Sequence, residues 1–174
     1  KKYNYFIMLT DTRRFGYIDL IRGDINKNKF IKKLGPEPLS DNFTYLNFYK
    51  SIRNKNRNIK GILLNQNILA GLGNIYVNEV LFESGISPKR LGKNISIKKC
   101  KLIVKKTKKI LKEAIKSGGT TLRDHIQPDG NLGYFKNKLK IYGRTNKLCI
   151  ICNTIIKEIK QSGRTSFYCS SCQR

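Results

Sequence analysis

A chain of 174 residues with 36 Lys and Arg against 11 Asp and Glu carries a formal charge of +25. The length fits one medium domain or two small ones and excludes a large enzyme, while cations spread along the whole chain predict a broad positive surface with phosphate backbones as the first partner to consider. No apolar run is long enough to span a membrane, and the one strongly basic helix has an ordinary core-facing stripe, so no membrane partner is expected.

In chain order, Tyr3–Leu9 reads as a strand, Thr10-Asp11-Thr12 as a turn and Phe15–Ile21 as a returning strand. A strand so near the start, with no partner before it and no initiating Met, suggests the end of a sheet whose first part is absent. Gly35-Pro36-Glu37-Pro38 is the best boundary in the sequence. Together with the start of the cysteine-bearing end at Leu139, it divides the chain into residues 1–35, 36–138 and 139–174.

Ser40 or Asp41 is expected to cap a helix with Phe43, Leu46, Tyr49 and Ile52 on one side, followed by a short helix near 59–65 with Ile59, Ile62 and Leu63 inward. The glycines of Leu69-Ala70-Gly71-Leu72-Gly73-Asn74 interrupt any continuous helix. Asn74 is a candidate cap for a helix over 75–84, stopped by Gly85 and Pro88. From Ser96 the longest helix buries Ile97, Cys100, Val104, Thr107, Leu111 and Ala114 and ends at Gly118-Gly119. Cys100 in this stripe reads as a buried, inert thiol. Residues 120–138 are polar and aperiodic, either a linker or a ligand-handling loop. Short β-prone pieces at 139–142, 155–159 and 165–168 then interleave with the remaining cysteines.

Those four, Cys149-x2-Cys152 and Cys169-x2-Cys172, carry the strongest signal. Two CxxC knuckles separated by enough chain for a hairpin predict one structural, tetrahedral Zn²⁺ with no open coordination position. Paired cysteines of this kind fit a reducing compartment. Arg164, at the predicted hairpin tip, is either a solvated turn residue or a rigidly presented phosphate contact. Asn74 is either a routine cap or part of a phosphate seat at a helix start. Arg13-Arg14-Phe15 puts two cations and an aromatic beside a turn, suited to probing a disturbed base pair but equally ordinary on a surface. The lone His125 has no triad partners, and Asp11, Glu37, Glu79, Asp124 and Asp129 show no spacing of a carboxylate pair. The residues point to recognition, with no catalytic residue assigned.

The run Asp11-Thr12-Arg13-Arg14-Phe15-Gly16, Leu34-Gly35-Pro36-Glu37-Pro38-Leu39, Leu69-Ala70-Gly71-Leu72-Gly73-Asn74-Ile75-Tyr76, Gly118-Gly119-Thr120-Thr121-Leu122, Asp129-Gly130-x2-Gly133-Tyr134-Phe135 and the four-cysteine end resembles bacterial formamidopyrimidine-DNA glycosylases, in the family's order. The resemblance implies an α+β multidomain fragment: the end of an N-terminal β-sandwich, a helix-two-turn-helix domain and a zinc-ribbon finger. It implies a monomer of the bacterial cytoplasm acting on double-stranded DNA with oxidised purines or abasic sites. Family members flip 8-oxoguanine or a formamidopyrimidine out of the duplex, excise it and cut the backbone by β,δ-elimination, as glycosylase and AP lyase.

Their nucleophile is an N-terminal proline amine, helped by a following glutamate and a lysine, and none of these matches a position here. By the same resemblance Arg13 reads the orphaned cytosine with Arg14 beside it, Phe15 is the wedge, and Lys60, Asn74 and Arg164 lie at the lesion's phosphates. Gln127, Pro128, Asp129, Gly130, Asn131, Leu132, Gly133 and Tyr134 form the loop that closes over the everted base, with Pro128 where the family commonly has serine. The expected function is therefore DNA and lesion recognition by a part of a base-excision enzyme. The alternatives are a catalytically inactive, zinc-dependent damaged-DNA-binding module and a zinc-ribbon protein that binds RNA or protein.

Overall fold

A computed structural model describes residues 7–9, 11, 16, 18–120 and 133–174. The chain divides into two compact units, Lys1–Lys33 and Leu34–Arg174. Among the described residues of the first unit there are two single-turn 3-10 helices, Ile25–Lys27 and Ile31–Lys33, the former capped by the Asp24 carboxylate accepting from Asn26 N–H. Of the strands expected over 3–9 and 15–21, residues 3–6, 15 and 17 lie outside the described residues. Their described parts, Ile7–Leu9 and Ile18–Ile21, carry no ladder pairing, and Ile7, Met8 and Leu20 are exposed.

The second unit holds helices α1 (Tyr45–Ile52), α2 (Ile59–Leu63), α3 (Asn74–Glu83) and α4 (Ile97–Lys116), then the antiparallel hairpin β1 (Lys157–Gln161) and β2 (Arg164–Tyr168). Helix α1 starts later than its apolar pattern suggests. Thr44, not Ser40 or Asp41, is the cap, accepting from Asn47 N–H, because the Ser40 hydroxyl is spent on the Glu37 carbonyl in the preceding turn. Phe43 is buried ahead of the helix, and Leu46 faces solvent. Helix α2 has the inward residues expected, with Asn58 as its cap.

Between α2 and α3 the chain makes two successive turns knitted by one side chain: Gln66 accepts from Gly71 N–H at 2.7 Å and donates to the carbonyls of Leu64 and Leu72. Helix α4 is capped by Ser96 as expected and buries Cys100, Ile103, Val104, Thr107, Ile110 and Ala114, while Ile97 is exposed. Leu139–Tyr142, expected as a strand, forms none. Its backbone donors go instead to Glu79 on α3.

Nineteen buried residues from Phe43 to Phe135 make one core around α1 to α4. A second, smaller core joins Phe82 of α3 to Ile141, Cys149, Ile156 and Cys169. Helix α3 is therefore common to both, with Val77, Val80 and Leu81 in one and Phe82 in the other.

Candidate nucleic-acid interface and metal centre

The turn between β1 and β2 places Ser162 and Gly163 at φ 51° and 71°. Two successive left-handed residues give a tight hairpin whose twist matches its strands, and Arg164 leaves it as the first residue of β2. The tip approaches α2 closely: a Cβ on Gly61 would lie 2.8 Å from Ser162 Oγ.

Lys60 and Asn74 converge on the residue next to Arg164. Lys60 Nζ donates to the Thr165 carbonyl at 2.6 Å and to Ser166 Oγ at 2.8 Å, and Asn74 Nδ2 donates to the same Thr165 carbonyl at 3.2 Å. Lys60 is fully buried, and burial pushes its ammonium down to about 8, with the Arg164 charge acting in the same direction. Two cations thus act on one another at the junction, and among the described residues neither forms an ion pair, an arrangement that a nearby anion would relieve.

Asn74 is not the cap of α3. Gly73 holds that place without a side-chain bond, so Asn74 is the first helical residue and its amide is free to reach the hairpin. The first-turn N–H groups of a helix whose cap offers no side chain form an electropositive end.

The polar residues Asn78, Glu79 and Glu83 of α3 fasten the ribbon, a role that no motif in the sequence marks. Asn78 accepts from Phe167 N–H at 2.8 Å and donates to the Asn74 carbonyl at 2.7 Å. The buried Glu79 carboxylate accepts from the backbone N–H groups of Lys140, Ile141 and Tyr142 at 2.8–3.0 Å. Glu83 pairs with Lys106 at 2.9 Å and Lys140 at 2.6 Å. Burial alone would raise its carboxyl, but these two lysines hold it below the usual range. The available signal was Asn74, Asn78, Glu79 and Glu83 recurring at helical spacing through an otherwise apolar segment, marking a second, polar packing face.

The four predicted metal ligands come together. All four sulfurs lie within 4.8 Å of one another, with Cys149–Cys172, Cys152–Cys169 and Cys152–Cys172 at 3.9, 3.4 and 3.3 Å. Sulfurs at the corners of a tetrahedron about 2.3 Å from its centre are about 3.8 Å apart, so the set fits one tetrathiolate-bound ion. Thr154, through its hydroxyl and backbone, draws the Cys152 thiol down to about 6, while burial pushes those of Cys169 and Cys172 up.

Arg13, Arg14 and Phe15 lie outside the described residues, as do Gln127, Pro128, Asp129, Gly130, Asn131 and Leu132. The flanks of the latter segment are described. Thr120 bridges to Tyr134, Tyr134 N–H reaches the Ser117 carbonyl, and Phe135 N–H reaches that of Gly119, which holds the two ends together. A Cβ on the buried Gly133 would lie 2.5 Å from Gly119 backbone, so the close approach requires glycine there. Tyr134 is exposed at this neck. A recess lined by Lys136, Asn137, Tyr142, Arg144 and Lys147 adds further cations near the ribbon, with the Tyr142 ring edge-on to Phe167.

Two turns between α2 and α3, a buried α3 and a four-cysteine hairpin locked onto it define a helix-two-turn-helix protein with a metal ribbon. Comparison with known proteins agrees: residues 34–126 match the formamidopyrimidine-DNA glycosylase H2TH domain. The chain belongs to the formamidopyrimidine-DNA glycosylase family. It is 41% identical over 168 residues to the formamidopyrimidine-DNA glycosylase of Idiomarina loihiensis, covering 97% of this chain and 62% of that protein. It is similar in structure to the MutM (Fpg) protein of Thermus thermophilus, with a TM-score of 0.87 and 35% identity over 94% of this chain and 62% of that one. The Lactococcus lactis Fpg, solved in complex with abasic-site-containing DNA, gives a TM-score of 0.77 and 37% identity, over 83% and 54%. The chain thus spans about three-fifths of the length of these relatives. Among the described residues no helix is long and apolar enough to cross a membrane.

Proposed function

We propose that these residues are the DNA- and lesion-recognition part of a formamidopyrimidine-DNA glycosylase, and that the four cysteines hold a structural Zn²⁺. The observation that carries the reading is the convergence of Lys60 and Asn74 on the Thr165 carbonyl, one residue from Arg164. Residues on α2, α3 and β2 that are far apart in sequence form one basic junction, the kind of site at which duplex phosphates are held. The solved Lactococcus lactis relative in complex with abasic-site-containing DNA supports DNA as the partner.

In this reading the metal makes the hairpin rigid, and every other step belongs to side chains. Arg164 grips a phosphate with its fork of donors, and the N-terminus of α3 with Asn74 seats a neighbouring one. Phosphate charge relieves the repulsion between Lys60 and Arg164, so binding favours the protonated Lys60. Arg13 fills the space left by the everted base and Phe15 wedges beside it, offsetting part of the unstacking cost, with Arg14 as a further DNA contact. The loop from Gln127 to Tyr134 closes over the oxidised purine, its ends held by the neck at Gly119 and Gly133.

The excision of 8-oxoguanine or formamidopyrimidines, and the β,δ-elimination that follows, belong to the complete protein. They need the family's amine nucleophile, which no residue of this chain matches. The zinc-loaded chain is expected to bind an abasic-site duplex more tightly than an intact one, and Arg164→Ala is expected to weaken that binding about tenfold or more. Borohydride treatment on a duplex containing 8-oxoguanine opposite cytosine is expected to trap no covalent adduct. A strong adduct would show that a lysine or the chain's own N-terminal amine does the chemistry, and equal affinity for both duplexes would overturn the recognition role.

A further inference from the structure

Helix α4 carries nine lysines and a single acidic residue, Glu113. Six of those lysines, Lys98, Lys101, Lys105, Lys109, Lys112 and Lys116, are exposed. They follow one another at intervals of three and four residues. At 100° and 1.5 Å per residue they occupy an arc of about 80° and run about 27 Å along the axis. The buried positions from Cys100 to Ala114 centre on the opposite side of the same helix. The ridge therefore points directly away from the core that α4 shares with α3.

The other three lysines of α4 have partners within the fold. Lys106 pairs with Glu83, Lys108 donates to the Ser40 carbonyl and Lys99 to the Arg174 carbonyl. Along the ridge the only ion pair among the described residues is Lys109–Glu113, at 3.8 Å. Lys98, Lys105, Lys112 and Lys116 have no hydrogen-bond or ion-pair partner there. Like charges three and four apart on a helix repel, and a surface serving solubility alone intersperses both signs. This one keeps a single sign over five turns, an arrangement that a line of external negative charge would relieve.

We propose that the outward face of α4 is a second DNA-contacting surface, which takes a segment of undamaged duplex by its phosphates without reading sequence. A membrane is disfavoured because a helix lying in a bilayer interface needs its apolar face for lipid, and that face of α4 is committed to the core. Flexible ammonium groups in a row suit phosphates and carry no base-reading geometry. The lesion junction of Lys60, Asn74 and Arg164 is built on α2, α3 and β2, whereas the ridge lies on the side of α4 turned away from α3. The chain can thus engage two stretches of DNA at once, one at the lesion and one in passing. The inference rests on the proposed function only in taking DNA as the chain's polyanion.

The test uses the zinc-loaded chain and an undamaged 20-base-pair duplex between 50 and 200 mM salt. The variant K98Q/K105Q/K112Q/K116Q is compared with K29Q/K50Q/K55Q/K93Q, which removes as many exposed lysines elsewhere, and with R164Q. The ridge variant is expected to make the slope of log affinity against log salt shallower by about 3–4, at about 0.9 per phosphate contact. The scattered variant is expected to change it by less than about 1. An unchanged slope in the ridge variant overturns the proposal, as does an equal change in the scattered one, which would mean bulk charge alone. Ridge-dependent binding to phosphatidylserine vesicles with an unchanged duplex slope would assign the face to membranes and likewise overturn it. R164Q separates the two readings: if its preference for an abasic duplex is unaltered, the lesion junction is wrong while the ridge result stands.

Discussion

The helical body and the ribbon are stabilised in different ways. Around α1 to α4, nineteen buried hydrophobic residues form the core among the described residues, with the Thr107 hydroxyl of α4 buried as well. The ribbon's core has five buried members, two of them metal-ligand cysteines and a third, Phe82, contributed by α3. What the ribbon lacks in apolar burial is offset by polar contacts from Lys60, Asn74, Asn78 and Glu79 and by four cysteines clustered with the spacing of one metal site. The junction of Lys60, Asn74 and Thr165 lies where those two regimes meet, so α2 and α3 fix the position of the hairpin that carries Arg164.

Metal removal should separate the regions most sharply. Structural zinc is worth roughly 10–16 kcal/mol in small ribbons, far more than a core of this size supplies. Chelation is expected to unfold residues 139–174 while α1 to α4 persist, visible as retained helical circular dichroism with lost amide protection in β1 and β2. Helices that melt together with the hairpin would show that α3 needs both of its cores.

Next in size is Glu79→Ala. It leaves the N–H groups of Lys140, Ile141 and Tyr142 without their acceptor, at about 1–3 kcal/mol for each donor that stays buried. A loss of about 3–5 kcal/mol in urea unfolding of the zinc-loaded chain is expected, comparable to truncating a core residue such as Ile62 to alanine. Glu79→Gln keeps one acceptor oxygen and should lose less. A loss below about 1 kcal/mol for the alanine variant would mean that water replaces the carboxylate and that zinc alone holds the ribbon in place.

How legible these regions were follows from the same contrast. The clustered cysteines and the inward residues of α2 are readable because spacing alone specifies them: CxxC pairs, and Ile59, Ile62 and Leu63 at helical intervals. The cap of α1 was misplaced because Ser40, Asp41 and Thr44 have equivalent chemistry locally, and only the Glu37 turn decides among them. Leu139–Tyr142 looked like a strand because its residues favour one. Its hydrogen bonds were decided by a carboxylate some sixty positions earlier, which no local pattern reveals. Asn74 looks locally like a helix cap, yet its amide caps nothing and spans to Thr165 instead. Tertiary polar contacts are invisible to periodicity, and they are what build this junction.

The pH dependence of Lys60 sharpens the comparison further, with a smaller effect. Its ammonium stands near 8 in the folded protein against 10.5 ordinarily, through burial and then the Arg164 charge. Below pH 8 the group is charged in both folded and unfolded chains, and the folded state bears the whole cost of burying it. Between pH 8 and 10.5 the folded state gives up its proton first, so stability owed to Lys60 rises across that window and levels off above it. The neutral amine retains N–H donors for Thr165 and Ser166, so the tether survives. The difference in unfolding free energy between the wild type and Lys60→Met, followed from pH 7 to 10.5, should move in the wild type's favour; a flat difference would mean that the ammonium is well solvated. Affinity for an abasic duplex should fall over the same range, because phosphate binds the protonated form.

The smallest effect is expected at Cys100, and its smallness is informative. Burial in the α4 core pushes its thiol up to about 12 and leaves it fully inaccessible, so a thiol reagent at pH 8 meets neither the thiolate nor the sulfur. Of the chain's five cysteines, none should react in the zinc-loaded fold, the four ribbon cysteines should react after chelation, and all five only in denaturant. The middle count decides between independent and coupled regions. Four reactive thiols mean that the helical core stays closed when the ribbon opens, whereas Cys100 labelling at the ribbon's rate would mean that losing the metal opens α4 as well, and the division between an apolar body and a metal-held ribbon would fail.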